Sequence, residues 1–63
     1  MDLNVRQERA AAELRAGSVA IIDKGESVFL QHEIYPSTFF DKLVLMGLAK
    51  RYGKGDDRTW RKA

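Results

Sequence analysis

The sequence predicts a small α+β domain with an N-terminal helix, a central helix and a C-terminal β-hairpin. Two segments show helical spacing and end at a glycine, and two short strand-like runs near the C-terminus flank a loop rich in glycine and aspartate. A chain of 63 residues forms one domain, which we expect to span residues 1–63. It contains no cysteine, so disulfides and cysteine-based zinc sites are excluded and stability must come from packing.

The first segment predicts a helix over residues 6–16. Asn4 followed three residues later by Gln7 fits a capping box. Gly17 is suited to end the helix in the left-handed conformation. A thin apolar stripe runs along one side, formed by Leu3, Ala10 and Leu14. We therefore expect this helix at the edge of the core.

Residues 18–34 are compatible with two structures. Residues 19–22 form a short β-branched run typical of a strand, and a second apolar run at 28–30 would complete a hairpin. Residues 24–33 are equally able to form a short helix, because periodicity does not separate the two for such short runs. Pro36 ends either element, since a residue before proline avoids the helical region.

The central helix is predicted from Ser37, as its N-cap, to Met46, with Gly47 as its stop. Apolar residues occupy most of its sides, so we expect it at the centre of the core. Its outer face is left to Thr38, Asp41, Lys42 and Leu45. The phenylalanines are expected to be core residues: Phe29, Phe39 and Phe40.

The last segment predicts a β-hairpin with strands at residues 48–52 and 58–62 and a loop at 53–57. Tyr52 and Trp60 are expected to meet across the two strands. Residues 50–63 hold six basic and two acidic residues, a net charge of +4, whereas the rest of the chain is net negative. This asymmetry indicates a polyanionic partner, or else a solvated basic end.

Residues 38–52 resemble a winged helix-turn-helix domain. In that family a recognition helix ends in a leucine-rich turn and a Gly-Leu pair, which matches Leu43, Met46, Gly47 and Leu48. Residues 53–57 stand where the tip of the wing is expected, so the resemblance covers residues 37–63. It implies a winged helix-like fold, with another helix near residues 27–33. It also implies a double-stranded DNA partner, and a transcriptional regulator or a phage or plasmid accessory factor as the function.

The resemblance also implies the contact residues. Those of the helix would lie in the major groove: Ser37, Thr38 and Lys42. Those of the wing would contact phosphates: Lys50, Arg51, Lys54, Arg58, Arg61 and Lys62. The outer face of the helix lacks Arg, Asn and Gln, which usually read bases, and Asp41 would repel phosphate. We therefore expect weak, nonspecific or wing-dominated binding.

Two other functions fit the sequence. The first is a protein-interaction module or inhibitor of a larger protein, which would bind through Leu45 and Trp60. The second is RNA or single-strand binding, with Trp60 and Tyr52 stacking on bases. A homodimer is compatible with all three, because a thin core gains stability from an interface.

We expect that the protein is not an enzyme and that it binds no cofactor and no metal. His32 is the only histidine, and no second ligand stands near it and Glu33 at metal-binding spacing. The apolar runs are too short to span a bilayer, and residues 1–16 are charged throughout, unlike a signal peptide. We expect a cytoplasmic protein that does not bind membranes.

Overall fold

The protein folds as two layers, an antiparallel sheet and a pair of helices. The computed structural model describes residues 4–63. Its elements are, in chain order, α1 (Val5–Arg15), β1 (Ala20–Lys24), β2 (Ser27–Leu30), β3 (Glu33–Pro36), α2 (Ser37–Leu45), β4 (Ala49–Tyr52), a 3-10 turn (Gly55–Asp57) and β5 (Thr59–Lys62). The five strands lie in the order β3-β2-β1-β5-β4, so β3 and β4 are the outer strands. The predicted α+β class is confirmed.

Helix α1 spans Val5–Arg15, one residue earlier at each end than predicted, and it has the predicted cap at its start. The Asn4 side chain accepts from the Gln7 backbone and the Gln7 side chain accepts from the Asn4 backbone, which completes the capping box. Gly17 follows the helix with a φ of 105°, in the left-handed region that glycine tolerates best. Ala10 and Leu14 are buried. The predicted stripe residue Leu3 lies outside the described residues.

Residues 18–34 form strands, which decides between the two predicted structures. Strands β1 and β2 make the hairpin, and β3 adds a third strand to it. Val28 and Leu30 point into the core while Phe29 points away, the alternation that defines a strand with one buried face. Residues 27–33 therefore hold no helix, and the helix expected before α2 from the resemblance is wrong. The described chain thus contains no helix-turn-helix.

Helix α2 has the outer face that the sequence predicts, but its cap differs. Its exposed residues include Thr38, Asp41, Lys42 and Leu45. The predicted N-cap Ser37 is wrong, because Pro36 is the N-cap and Ser37 is the first helical residue. The Ser37 hydroxyl donates to the Glu26 carboxylate at 2.6 Å instead of capping the helix.

The C-terminal hairpin forms as predicted, with its two aromatic residues on opposite faces. Trp60 pairs with Arg51 and is fully buried, whereas Tyr52 pairs with Thr59 and is half-exposed. Neighbouring positions on a strand alternate between faces, so Trp60 and Tyr52 do not meet. The predicted contact between them is wrong.

Both helices cover the same face of the sheet. Buried residues from the helices and from all five strands form one core: Ala10, Leu14, Ala20, Val28, Leu30, Tyr35, Phe40, Leu43, Ala49 and Trp60. The Phe40 and Trp60 ring centroids are 5.6 Å apart near its centre. The opposite surface, here called the helix-free face, carries a row of exposed apolar residues in register across the first three strands: Ile21, Phe29 and Ile34. The prediction that Phe29 is a core residue is therefore wrong.

This arrangement predicts unequal losses of stability for alanine substitutions at two phenylalanines. Phe40→Ala should lower the free energy of unfolding by about 3–5 kcal/mol, because it leaves a cavity beside Trp60. Phe29→Ala should lower it by about 1 kcal/mol or less, since this residue is already 38% exposed. Urea denaturation followed by circular dichroism measures both values. The milder Phe40→Leu serves if Phe40→Ala does not fold, and equal losses at the two positions would contradict the assigned burial.

Candidate nucleic-acid interface

The basic residues of the C-terminal hairpin line both of its surfaces. Lys50 and Arg61 pair in register and share the helix-free face with Tyr52, whose ring lies 5.4 Å from the Arg61 guanidinium carbon. Arg51 points the other way, because it pairs with the inward-facing Trp60. Lys54 lies in the exposed loop between the strands. The cations therefore surround an outer edge of the sheet.

Arg58 is the exception among the predicted phosphate contacts. Its guanidinium forms an ion pair with Glu26 at 3.1 Å and donates through Nε to the Gly55 carbonyl at 2.8 Å. It also lies over the Trp60 ring, and its side chain is only 16% exposed. Since its charge is compensated and its Nε and Nη2 donors are occupied, Arg58 stabilises the fold and is poorly placed to contact phosphate.

Ser37 is likewise occupied. It is 4% exposed and donates to the same carboxylate as Arg58. Its hydrogen bond, followed by those from Arg58, holds the pKa of Glu26 below its usual value. Of the three helix residues assigned to the major groove, only Thr38 and Lys42 are exposed.

The two predicted partner-binding residues have opposite exposures. Trp60 is fully buried, so it neither contacts a partner nor stacks on a base, and both predictions for it are wrong. Leu45 is 88% exposed at the end of α2. It borders an open groove of about 530 Å³ between α2 and β4, lined by Asp41, Val44, Leu45, Lys50, Arg51 and Tyr52. Sequence reasoning missed this groove, because it depends on how α2 packs beside β4.

The basic residues of α1 contrast with those of the hairpin. Arg9 forms an ion pair with Glu33 at 2.7 Å, and Arg6 stacks over Tyr35 at 4.6 Å. The Tyr35 hydroxyl donates to Glu33, and burial together with this bond raises the pKa of Tyr35 to about 12. These contacts fasten α1 to β3 and leave α1 few cations for a partner.

Comparisons with known proteins add no family. The chain matches no protein-family model, no curated protein and no solved structure. Neither helix within residues 4–63 has the length and hydrophobicity that crossing a bilayer requires. In the same part of the chain, no three side chains of His, Asp or Glu gather as a metal site.

The contacts of Glu26 predict how stability responds to acid. Because its pKa is lower in the folded protein, its contribution is present above the unfolded value of 4.5 and is lost as the pH falls through the lower folded value. Glu26→Gln should therefore be less stable than the wild type near neutrality, and this difference should shrink below pH 4.5.

Thermal denaturation at a series of pH values measures this difference. Glu13→Gln is the control, because Glu13 forms no ion pair among the described residues, and it should follow the wild-type pH dependence. A stability difference between Glu26→Gln and the wild type that stays constant through acid pH would contradict the assigned role.

Proposed function

We propose that this protein binds double-stranded DNA through the phosphate backbone, with its C-terminal hairpin as the main contact element. The observation that carries the proposal is a set of cations that form no ion pair within residues 4–63: Lys50, Arg51, Lys54, Arg61 and Lys62. They all belong to one hairpin, whose loop also contains two acidic residues, Asp56 and Asp57. The exposed hairpin therefore keeps a positive charge that the fold does not use.

Phosphate binding suits this geometry because it needs exposed, uncompensated cations more than a shaped pocket. A strand of four residues extends about 13 Å, long enough to face several phosphates of a duplex. Thr38 and Lys42 on α2 supply further polar groups. Asp41 and Leu45 on the same helix offer nothing to a base edge, so we propose binding with little sequence preference.

The resemblance to a winged helix-turn-helix domain supports this proposal only over residues 37–63. In that region a helix is followed by Gly47, a strand and a basic hairpin, as in the family. The described chain lacks the preceding helix of the motif, so the hairpin carries the proposal in place of a recognition helix. A role as a transcriptional regulator or as a phage or plasmid accessory factor stays a proposal that rests on the resemblance.

Binding of single strands is the weaker candidate. It depended on Trp60 and Tyr52 as stacking residues, and Trp60 is buried. Tyr52 alone offers one aromatic ring on the hairpin, already in contact with Arg61. A surface that binds single strands usually stacks successive bases on several aromatic rings.

The proposal predicts the salt dependence of DNA binding. With five cations engaged, the logarithm of the affinity for a random-sequence duplex should fall with the logarithm of salt concentration at a slope of about 4.5. Arg61→Ala/Lys62→Ala should reduce this slope to about 2.7, because two phosphate contacts are lost. Fluorescence anisotropy of a labelled duplex at roughly 50 to 200 mM salt measures both slopes.

Arg15→Ala/Lys24→Ala is the matched control. It also removes two exposed cations without ion pairs, but both lie outside the hairpin. Its slope should stay close to the wild-type value. Absence of binding at low salt, or an equal loss of slope in both double variants, would overturn the proposal.

A further inference from the structure

We infer that the outer edge of β4 is a docking site for an extended acidic segment of another protein, which adds to the sheet as a further strand. Strand β4 is paired with β5 on one side only. On its other side, the backbone groups that alternate along Ala49–Tyr52 have no strand partner in the described chain. Such an edge is a template for strand addition.

The two outer strands of the sheet differ in how they are protected. Strand β3 ends in Pro36, which has no N–H to donate, and its Ile34 carbonyl accepts from Arg6 at 3.5 Å. Strand β4 has no proline, and no side chain hydrogen-bonds to its backbone within residues 4–63. The accessible edge of the sheet is therefore that of β4.

The groove between α2 and β4 supplies side-chain contacts along that edge. Val44 and the exposed Leu45 form the apolar side of the groove, and Tyr52 of β4 also lines it. A single exposed leucine needs no special explanation. Here, however, Leu45 lies beside an open strand edge. If a strand were added at this edge, Leu45 would cover one of its apolar side chains.

Charge selects the class of partner. Lys50 and Arg51 project from opposite faces of β4 and form no ion pair in the described chain. A second copy paired through β4 would bring the cations of the two copies close to one another, which is unfavourable. An acidic strand would place carboxylates opposite both. Asp41 lies at the helix side of the groove and disfavours an acidic residue at that position.

The docking site is separate from the proposed DNA function, although they share two cations. Leu45 and the β4 backbone serve only the docking site, and Arg61 and Lys62 of β5 serve only DNA binding. An acidic segment bound at β4 would cover Lys50 and Arg51, so we expect it to compete with DNA. A negative result for DNA binding would therefore not overturn the docking site, and a negative result for the docking site would not overturn DNA binding.

The experiment uses the full chain and a labelled peptide of about eight residues in which pairs of adjacent valines alternate with pairs of adjacent glutamates, so that carboxylates project from both faces of the added strand. Fluorescence anisotropy at about 150 mM salt should give saturable binding to the wild type. Leu45→Ser and Arg51→Glu should each weaken it by about tenfold or more, because one removes the apolar contact and the other reverses a paired charge. Lys62→Glu is the control for charge, since it makes the same reversal on β5, and it should change the affinity by about twofold or less.

Two further peptides distinguish strand addition from simple charge attraction. The same peptide with all of its backbone nitrogens N-methylated cannot donate backbone hydrogen bonds and should bind about tenfold more weakly. A valine–lysine peptide should not bind. Equal binding of the methylated peptide, or an equal loss in Arg51→Glu and Lys62→Glu, would overturn the inference. So would a concentration-dependent dimer in sedimentation that Leu45→Ser abolishes, since a second copy would then be the occupant.

Discussion

The burial of Trp60 on one face of the sheet is the constraint on which the rest of the structure depends. Small residues flank it on the two neighbouring strands, with Ala20 opposite it on β1 and Ala49 on the same inner face of β4. These alanines leave space for the indole and for the two helices above it. In a domain this small, the stability gained from one large buried aromatic residue is a substantial share of the total. Both helices pack on this face of the sheet, so neither of them covers the helix-free face.

Glu26 connects this core to the rest of the chain. It lies in the turn between β1 and β2, accepts from Ser37 at the start of α2 and pairs with Arg58, which lies over Trp60. Three segments distant in sequence are therefore tied at one carboxylate. The same contact distinguishes Arg58 from the other cations of the hairpin. Arg58 is paired with Glu26 within the fold, whereas its neighbours form no ion pair in the described chain and stay available to a partner.

Local signals in the sequence predicted much of the fold. The capping box of α1, the outer face of α2 and the C-terminal hairpin each depend on residues within a few positions of one another, and each is confirmed. The structure of residues 18–34 was left open by the sequence, because strand and helix patterns coincide in short apolar runs. The strand structure is fixed by long-range pairing, because β1 pairs with β5, which lies far along the chain.

The candidate site was less predictable for the same physical reason. That Arg58 and Ser37 are occupied follows from Glu26, which is 32 residues from Arg58 and 11 from Ser37, and no local pattern indicates either contact. The burial of Trp60 and the exposure of Phe29 depend on which face the helices cover. The presence of lysines and arginines on the hairpin was evident from composition and turn chemistry, but which of them form no ion pair required the structure.

DNA binding by the hairpin can be tested most directly by following backbone amide resonances while a random-sequence duplex is added to the isotope-labelled protein. We expect the shift changes to concentrate in residues 50–54 and 61–62, with little change in α2 beyond Thr38 and Lys42 and none in α1. Shift changes centred on α1 or on residues 27–36 would contradict this expectation, because residues 27–36 contain no lysine or arginine and Arg6 and Arg9 of α1 are engaged with β3, which leaves Arg15, among the described residues, as the one free cation of that helix.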